Sequence, residues 1–382
     1  MIDLQNNKAK QLIWLFVLPF FCIGCNPAES NSLKELNVNV SNNITLELDS
    51  VTTNSNPDYQ FIETDSMNIL ALFNAINNSL YYYNFDNKSF VKKLKFETEG
   101  PNGVGSRVTN FHIYTQDSIV IHSYYLGKIL AFDGQAKLIS SLDVSSKDLN
   151  DDFLPQSGPG FPLMQRNGKA YMTVARSCNY IDKTVIKQKG VLLRTNLNDN
   201  SKDLMLEFPK VYFKDSQDQY WPSKLCNLYY TENEEKDFVV SYPLSDSVTV
   251  LTNSGSIQVK AFSWPNIKRQ KPIKRREVSP GPMGEFVSYL RYTRYTEIFY
   301  DPFKQVYLRK VELATPKDLL DRNQLKTEMY YLVADKEFNV LGFFKNSGTG
   351  HVFFTKDGMN QVKFSSSNED VLTIKVLDYE LE

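Results

Sequence analysis

The sequence predicts an all-β protein, most simply a six-bladed β-propeller. Short runs of β-branched and aromatic residues, separated by turn pairs, fill the chain from about residue 43 onward. Glycine-rich stretches recur roughly every 60 residues, a period typical of propellers, solenoids and arrays. The chain also holds 22 tyrosines and 25 phenylalanines, which suit pleated, half-buried surfaces. Strand-rich repeats without alternating helices favour the propeller.

The glycine-rich stretches mark the joints of the repeat. They are "EGPNGVGS" from Glu99, "QSGPGFP" from Gln156, "SPGPMGEF" from Ser279 and "NSGTGH" from Asn346. The gap between the second and the third is about twice the others, and the polar stretch "DSQDQYWPS" at 215–223 lies near its midpoint. Glycine and proline serve tight turns at such joints. The chain therefore divides into six units.

Each unit holds three or four short strands. In the second unit these include 111–114, 118–121 and 129–132, and the pair Asp133-Gly134 follows as a strong hairpin signal. The only helical pattern that the spacing predicts is 315–328, an insertion in the fifth unit.

The last unit supplies only about three strands before the chain ends. The strand-like run "ITLELDSV", 44–51, stands near the beginning of the chain. We expect it to complete the last blade, because closing a ring in this way leaves no long strand edge exposed. Seven blades are the alternative, if the first hundred residues hold two irregular blades.

Residues 1–24 are predicted to be a lipoprotein signal peptide. Lys8 and Lys10 form a basic n-region, and the apolar run 12–24 follows. As a helix this run would span roughly 20 Å, short of the roughly 30 Å hydrocarbon core of a membrane. It ends in "CIGC", which resembles the bacterial lipobox with Cys25 as the acylated residue. An ordinary signal peptide with an incidental cysteine is the alternative.

The polar segment 25–42 is predicted to be a flexible tether, and 43–382 a single propeller domain. Acylation at Cys25 supplies more than one chain, which stable anchoring requires. Asn26 stands where some bacteria use Asp to retain lipoproteins in the inner membrane. We therefore expect anchoring in the outer membrane, with the periplasmic or surface-facing side left open.

Two cysteines remain after processing, Cys178 and Cys226. An exported protein meets oxidising conditions, so these two are candidates for a disulfide. Two free buried thiols are the alternative.

Composition and motifs exclude several function classes. The 43 basic and 44 acidic residues balance, so no global field favours nucleic acid. The chain has 3 histidines and no zinc-binding spacing, and it lacks G-x-S-x-G. The glycines of the first stretch follow G-x-x-G-x-G, with no helix pattern after them to hold a phosphate. We expect no metal and no cofactor, and no catalytic residue can be assigned.

Two sets of residues are candidates for binding. Propeller ligands sit at one mouth of the central channel, which is built from the loops that enter each blade. The repeat places six residues in those loops: Arg107, Phe161, Tyr220, Trp221, Phe286 and His351. The run "IKRQKPIKRRE" is either a solvated loop or a contact for an anionic glycan, lipid headgroup or acidic partner. Its basic residues are Lys268, Arg269, Lys271, Lys274, Arg275 and Arg276.

The lipobox, the "EGPNGVG" loop and the hairpin pair "DSIVI…ILAFDGQAKLIS" are similar to those of bacterial six-bladed propeller lipoproteins. Among these, the chain resembles the family called domain of unknown function 4221. The resemblance implies a lipid-anchored propeller and transfers no reaction. We expect a monomer. We expect a binding or scaffold module for a protein, peptide or glycan partner at the cell envelope. A propeller-type glycan lyase or hydrolase, with its site at the channel mouth, is the alternative.

The lipobox makes a direct prediction about the processed chain. We expect the mature amino terminus to be Cys25 carrying acyl chains, because the cysteine after Gly24 is the residue that is cut and acylated in this pattern. Mass spectrometry of the amino-terminal peptide from membrane fractions measures this. An unmodified terminus, or a chain that begins elsewhere, would contradict the lipoprotein assignment.

Overall fold

A computed structural model describes residues 33–52, 54, 58–145, 153–175, 190–213, 218–265, 267, 270–322, 324–346, 348, 350–363 and 368–381. Their strands form six antiparallel sheets of four or five strands and one two-stranded ribbon. The six sheets lie in a ring as the blades of a β-propeller. The predicted six-bladed propeller is confirmed, and seven blades are not found among the described strands.

The strands follow the chain from blade to blade, except that the first belongs to the last blade. Strand β1 is Val38–Glu47. Blade 1 consists of β2 (Asp58–Glu63), β3 (Asn68–Asn74), β4 (Ser79–Asn84) and β5 (Ser89–Lys95). Blade 2 consists of β6 (Val108–Thr115), β7 (Ser118–Ser123), β8 (Lys128–Phe132) and β9 (Leu138–Asp143). Blade 3 consists of β10 (Leu154–Gln156), β11 (Met164–Arg166), β12 (Lys169–Ala175), β13 (Leu192–Asn196) and β14 (Lys202–Met205).

The second half of the ring holds blades 4 to 6. Strand β15 (Gln219–Tyr220) precedes blade 4, which consists of β16 (Tyr229–Glu232), β17 (Phe238–Ser241), β18 (Ser247–Leu251) and β19 (Ile257–Ala261). Strand β20 (Ile273–Lys274) pairs with β15. Blade 5 consists of β21 (Arg294–Asp301), β22 (Val306–Glu312), β23 (Met329–Ala334) and β24 (Val340–Asn346). Blade 6 consists of β25 (Val352–Thr355), β26 (Gly358–Lys363), β27 (Val371–Tyr379) and β1.

Helices are few and short, and they differ from the sequence prediction. Helix α1 (Gly281–Leu290) lies in the stretch that was expected to be only a glycine-rich joint. A proline in its first turn costs no hydrogen bond there, because the first N–H groups of a helix have no partner within it. The helix predicted over 315–328 is reduced to α2 (Lys317–Asp321), with Pro316 as its N-cap residue.

Three of the four glycine-rich stretches serve as joints between blades. The stretch from Glu99 leads into β6, the one from Ser279 leads through α1 into β21, and the one from Asn346 leads into β25. The stretch from Gln156 is different, because it joins β10 to β11 and both strands pair with β12. Hairpin turns follow the expected chemistry. Asn167 and Gly168 both have positive φ between β11 and β12, as the tightest hairpins require.

The ring is closed by the pairing of β1 with β27. The two strands run antiparallel from Val38 opposite Tyr379 to Glu47 opposite Val371. Ile44 and Leu46 of β1 are buried in the core between blades 6 and 1. The predicted closure by an N-terminal strand is therefore observed.

The predicted tether of 25–42 is too long at its carboxyl end. Leu36 is buried, Glu35 bridges to Phe343 of blade 5, and β1 already begins at Val38. Residues 33–42 therefore belong to the propeller. The first part of β1 looks like a tether in sequence because most of its side chains face solvent, so its polar residues carry no strand signal.

A fully buried arginine joins blades 4 and 5. The Arg309 guanidinium donates to the Ser241 hydroxyl at 2.9 Å and to the Ser245 carbonyl at 2.8 Å, and it lies 3.6 Å from the centre of the Tyr295 ring. Burial lowers the pKa of Arg309 to about 10. Carbonyl oxygens accept hydrogen bonds from the guanidinium, and a ring face stabilises its charge, where one blade packs on the next.

None of the helices in the described part of the chain has the length and apolar character needed to cross a membrane. The predicted signal peptide, 1–24, lies outside the described residues.

Ring closure makes a prediction about stability. We expect Leu46→Ala to lower the free energy of unfolding by about 2–5 kcal/mol, because it leaves a cavity in the closing strand. Val40→Ala is the matched control on the same strand; Val40 is 49% exposed, and its loss should change stability by less than about 0.5 kcal/mol. Denaturant-induced unfolding measures both. Equal effects would show that β1 contributes no packing to the closure.

Candidate functional site

The channel entrance is formed where the first strand of each blade begins. Neighbouring first strands contact one another around the axis, as β2 does with β6 and β25, and β16 does with β21. The outermost strands, such as β5 and β19, are exposed. The loops that lead into β6, β16, β21 and β25 therefore gather at one end of the channel, which we call the mouth.

A tight turn from blade 3 reaches blades 4 and 5 at the mouth. Gly158 and Phe161 exchange two backbone hydrogen bonds, of 3.1 and 3.0 Å. Between them, Gly160 lies so close to Tyr229 and Glu297 that a Cβ atom would be 2.9 Å from each side chain. Only glycine permits this approach, so the turn holds the Phe161 ring 5.8 Å from the Tyr229 ring.

Blade 5 places an ion-paired network beside that turn. The Lys310 ammonium lies 2.9 Å from Glu297 and 3.8 Å from Glu312, and Glu312 in turn pairs with Arg294. Lys310 and Arg294 are buried. Burial acts to lower the pKa of Lys310, but the charges of Glu297 and Glu312 outweigh it and raise that pKa, so the ammonium is retained.

Blades 6 and 1 complete the mouth. The His351 ring meets the Tyr59 ring edge to face, with centroids 5.2 Å apart. Burial lowers the pKa of His351, and the charge of Glu297 offsets this only in part. Burial raises the pKa of Tyr59 well above its ordinary value, and the charges of Glu297 and Asp58 act in the same direction. These effects place Glu297 within electrostatic range of both aromatic residues.

Together these side chains form what we call the mouth cluster. It draws on blades 1, 3, 4, 5 and 6, and each member is at least partly exposed except Lys310. Its members are Asp58, Tyr59, Phe161, Tyr229, Glu297, Lys310 and His351.

Asp58 differs from the other charged members because it has no counter-ion. No ion pair joins it to any described lysine or arginine, and it begins β2 in a partly buried position. Burial raises its pKa to about 7, since removing a carboxylate from water disfavours the charged form. The mouth therefore holds a carboxylate that a cation or a hydrogen-bond donor would stabilise.

The whole fold has a counterpart among solved crystal structures. It is similar to the crystal structure of a member of the DUF4221 family from Bacteroides vulgatus ATCC 8482, with a TM-score of 0.75 and 15% identity. The alignment covers 91% of this chain and 99% of that one. Residues 36–342 match the family described as "Domain of unknown function (DUF4221)". The chain belongs to the DUF4221 family.

Two further structures align less well with this DUF4221 protein. One is a Bacteroides fragilis NCTC 9343 protein whose name records an inferred export, with a TM-score of 0.49, 12% identity and coverage of 87% of this chain and 98% of that one. The other is virginiamycin B lyase from Staphylococcus aureus, with a TM-score of 0.44 and 10% identity. That alignment covers 88% of this chain and 98% of the lyase. Likenesses of this size carry no information about function. A comparison with curated proteins finds no match.

The six residues predicted at the mouth of this DUF4221 protein do not come together. His351 and Phe161 lie in the mouth cluster, and their role in binding stays a prediction. Trp221 is fully buried and donates its indole N–H to the Tyr212 carbonyl at 3.0 Å. Tyr220 is also buried, opposite Ile273 in the β15–β20 ribbon. The sequence prediction misplaced both residues, because sequence alone does not distinguish an aromatic side chain exposed in a loop from one buried in the core.

The other two predicted residues also lie apart from the mouth cluster. Phe286 stands on α1, packs against the core that holds Trp221, and lies 5.3 Å from the Lys224 ammonium. Arg107 is exposed and covers the rings of Tyr124 and Tyr125, at 4.8 and 5.8 Å. Neither shares a contact with His351 among those described.

The basic run is only partly described. Lys271, Lys274, Arg275 and Arg276 are exposed, and Lys268 and Arg269 lie outside the described residues. An anion contact at this run stays a prediction.

The predicted disulfide and lipid site are also incompletely described. Cys226 is buried and disulfide-bonded, while Cys178 lies outside the described residues, so their pairing stays a prediction. Cys25 lies outside them as well.

Sequence reasoning missed five members of the mouth cluster: Asp58, Tyr59, Tyr229, Glu297 and Lys310. Glu297 and Lys310 face each other beside a β-bulge in β21. No spacing rule predicts the position of this bulge from the sequence. The available signal was the set of charged residues within the two predicted strands, β21 and β22. Within the described residues, no three histidine, cysteine or acidic side chains lie close enough together to hold a metal ion.

The raised pKa of Asp58 predicts a pH-dependent stability. A carboxyl group whose pKa is higher in the folded state stabilises the fold at low pH, and this contribution is lost as pH rises from about 4 to about 7. Asparagine does not titrate, so the stability of Asp58→Asn should not fall over this pH range. We therefore expect the variant to be more stable than the wild type at pH 8 but not at pH 4. Denaturant unfolding at both pH values measures the difference.

The matched control is Asp65→Asn, which removes an exposed carboxylate from the same blade. A stability difference between Asp58→Asn and the wild type that is equal at both pH values would contradict the assignment of the raised pKa to Asp58.

Proposed function

We propose that this DUF4221 protein is a lipid-anchored binding module of the outer membrane, whose mouth cluster receives an amine-bearing group of a peptide or protein partner. The observation that carries the proposal is Asp58, a partly buried carboxylate at the mouth without a counter-ion among the described residues. The envelope location rests on the lipobox at Cys25.

The charges at the mouth favour a cation. Glu297 already accepts from Lys310, so that pair is neutral overall, and Asp58 adds a carboxyl group without a counter-ion among the described residues, which a cationic ligand would ionise. A carboxylate withdrawn from water gains most from a partner of opposite sign. An amino terminus or a lysine side chain brings that charge together with several hydrogen-bond donors.

The aromatic members of the cluster support the same ligand. Tyr59, Phe161 and Tyr229 are each partly exposed, and their rings lie around the mouth from three different blades. Ring faces attract ammonium groups, by about 0.5–2 kcal/mol depending on exposure. A peptide that places an amine at Asp58 would also find apolar surface for the neighbouring part of its chain.

The ligand class can be tested with short peptides. We expect lysine-containing tripeptides with a free amino terminus to bind, and matched peptides with acetylated amines to bind at least about tenfold more weakly, since the acetyl group removes the charge. Isothermal titration with the full-length protein in detergent measures the affinities. Asp58→Asn should abolish the preference for the free amine, whereas Asp65→Asn should retain it.

Equal affinity for free and acetylated peptides, or an unchanged preference in Asp58→Asn, would contradict the proposal. The alternative of a lyase or hydrolase draws on the same residue, because a carboxyl group with a pKa of about 7 suits proton transfer. Mass spectrometry of peptides and envelope glycans after incubation distinguishes the two. Recovery of intact ligands supports a binding module, and cleavage that depends on Asp58 overturns it.

A further inference from the structure

A second concave site lies on the outer rim of the ring, away from the mouth. Neighbouring blades diverge toward their outer strands, and between β1 of blade 6 and β4 and β5 of blade 1 they leave a groove of about 580 Å³. This volume falls within the roughly 300–1,000 Å³ of small-molecule sites. Its lining residues include Glu47, Asp49, Tyr81, Lys88, Phe90 and Lys93, and we call the site the rim groove.

The floor of the rim groove holds an acceptor and a donor side by side. The buried Tyr81 hydroxyl donates to Asp49 Oδ2 at 2.8 Å, and Lys93 Nζ lies 3.4 Å from the same oxygen. Lys93 Nζ also lies 4.7 Å from the centre of the Tyr81 ring. Burial opposes the ionisation of Asp49, but hydrogen bonds from Thr52 and Tyr81 outweigh it and lower its pKa. The carboxylate and the ammonium are thus ionised and lie side by side.

One wall of the rim groove is an exposed aromatic ring. Phe90 is 55% exposed although it is among the largest apolar side chains of the chain. Its edge packs against Tyr83, with ring centroids 5.8 Å apart and an angle of 73° between the ring planes. The contact fixes the orientation of the ring and leaves much of its surface open to a ligand.

The charges of the rim groove balance. Glu47 and Asp49 are opposed by Lys88 and Lys93, so neither an anion nor a cation is favoured overall. The groove between blades 3 and 4 has a similar volume of about 600 Å³, but among the described residues that line it Glu207 alone is charged. The combination of paired charges with an exposed ring therefore does not follow from blade geometry alone.

We propose that the rim groove binds a neutral saccharide unit in its pyranose form. The apolar C–H face of the sugar would pack on Phe90, and adjacent hydroxyl groups would donate to Asp49 and accept from Lys93. Hydroxyl groups both donate and accept, so one sugar edge satisfies both side chains. A neutral ligand also suits a groove without net charge.

A ligand bound in the rim groove would stabilise the closure of the ring. Asp49 lies in the connection between the closing strand β1 and β2, whereas Phe90 and Lys93 belong to β5 of blade 1. A sugar held between them would join the two sides of the closure. Because a ligand that binds only the folded state raises its stability, saccharide binding should raise the unfolding temperature.

The test uses the full-length protein and the methyl glycosides of glucose, galactose, mannose and N-acetylglucosamine. We expect at least one to bind with a Kd in the millimolar range or tighter by isothermal titration. Phe90→Ala should weaken that binding about tenfold or more, because it removes the apolar platform. Asp49→Asn should weaken it similarly. Ile139→Ala, which removes a 64% exposed apolar side chain from blade 2, is the matched control and should bind as the wild type does.

Three outcomes would overturn the proposal. The first is that none of the four glycosides binds at millimolar concentration. The second is that Phe90→Ala binds as tightly as Ile139→Ala does; both residues are exposed, so neither variant depends on a core change. The third is that Asp58→Asn abolishes saccharide binding while the rim variants retain it, which would assign the sugar to the mouth. Failure of the peptide experiment leaves this test unaffected.

Discussion

The pairing of β1 with β27 is the constraint on which the rest of the ring depends. A propeller blade buries its faces only against the blades on either side, so an open ring would leave two blades half covered. Here the closing strand supplies Ile44 and Leu46 to the core that blade 6 shares with blade 1. The same strand brings the two ends of the described chain together, with Val38 opposite Tyr379. The closure is therefore both a packing and a topological requirement.

Polar groups tie the blades together within this closed ring. His122 of blade 2 lies 2.8 Å from the Thr109 hydroxyl of its own blade and 2.7 Å from the hydroxyl of Ser157, which directly follows β10 in blade 3. Burial lowers its pKa to about 4, so it remains neutral and acts as a structural hydrogen-bonding group. Gln60 of blade 1 bonds both the N–H and the carbonyl of Ile113 in blade 2. Such bonds fix the angular position of one blade on the next, which apolar packing alone leaves less specific.

Both candidate sites arise from junctions between blades. At the mouth, the blade 3 turn at Gly160 rests on Glu297 of blade 5, so residues from distant parts of the chain share one surface. At the rim, Asp49 from the closing segment meets Lys93 from blade 1. Each site therefore depends on the ring being closed, and neither could form within a single blade. A ring with the two proposed sites would hold a peptide at its mouth and a saccharide at its rim at once.

The sequence by itself determined the strand-rich repeat, its six units, the glycine-rich joints and the closing strand, because alternation and turn chemistry are local properties. It also indicated the lipobox at Cys25, which is a linear motif. Tertiary structure decided which residues meet. Trp221 lies in the core, whereas Asp58 and Glu297 lie at the mouth. Packing between blades and the β-bulge in β21 determine these positions. Contacts between blades join residues far apart in the chain, and no local pattern records them.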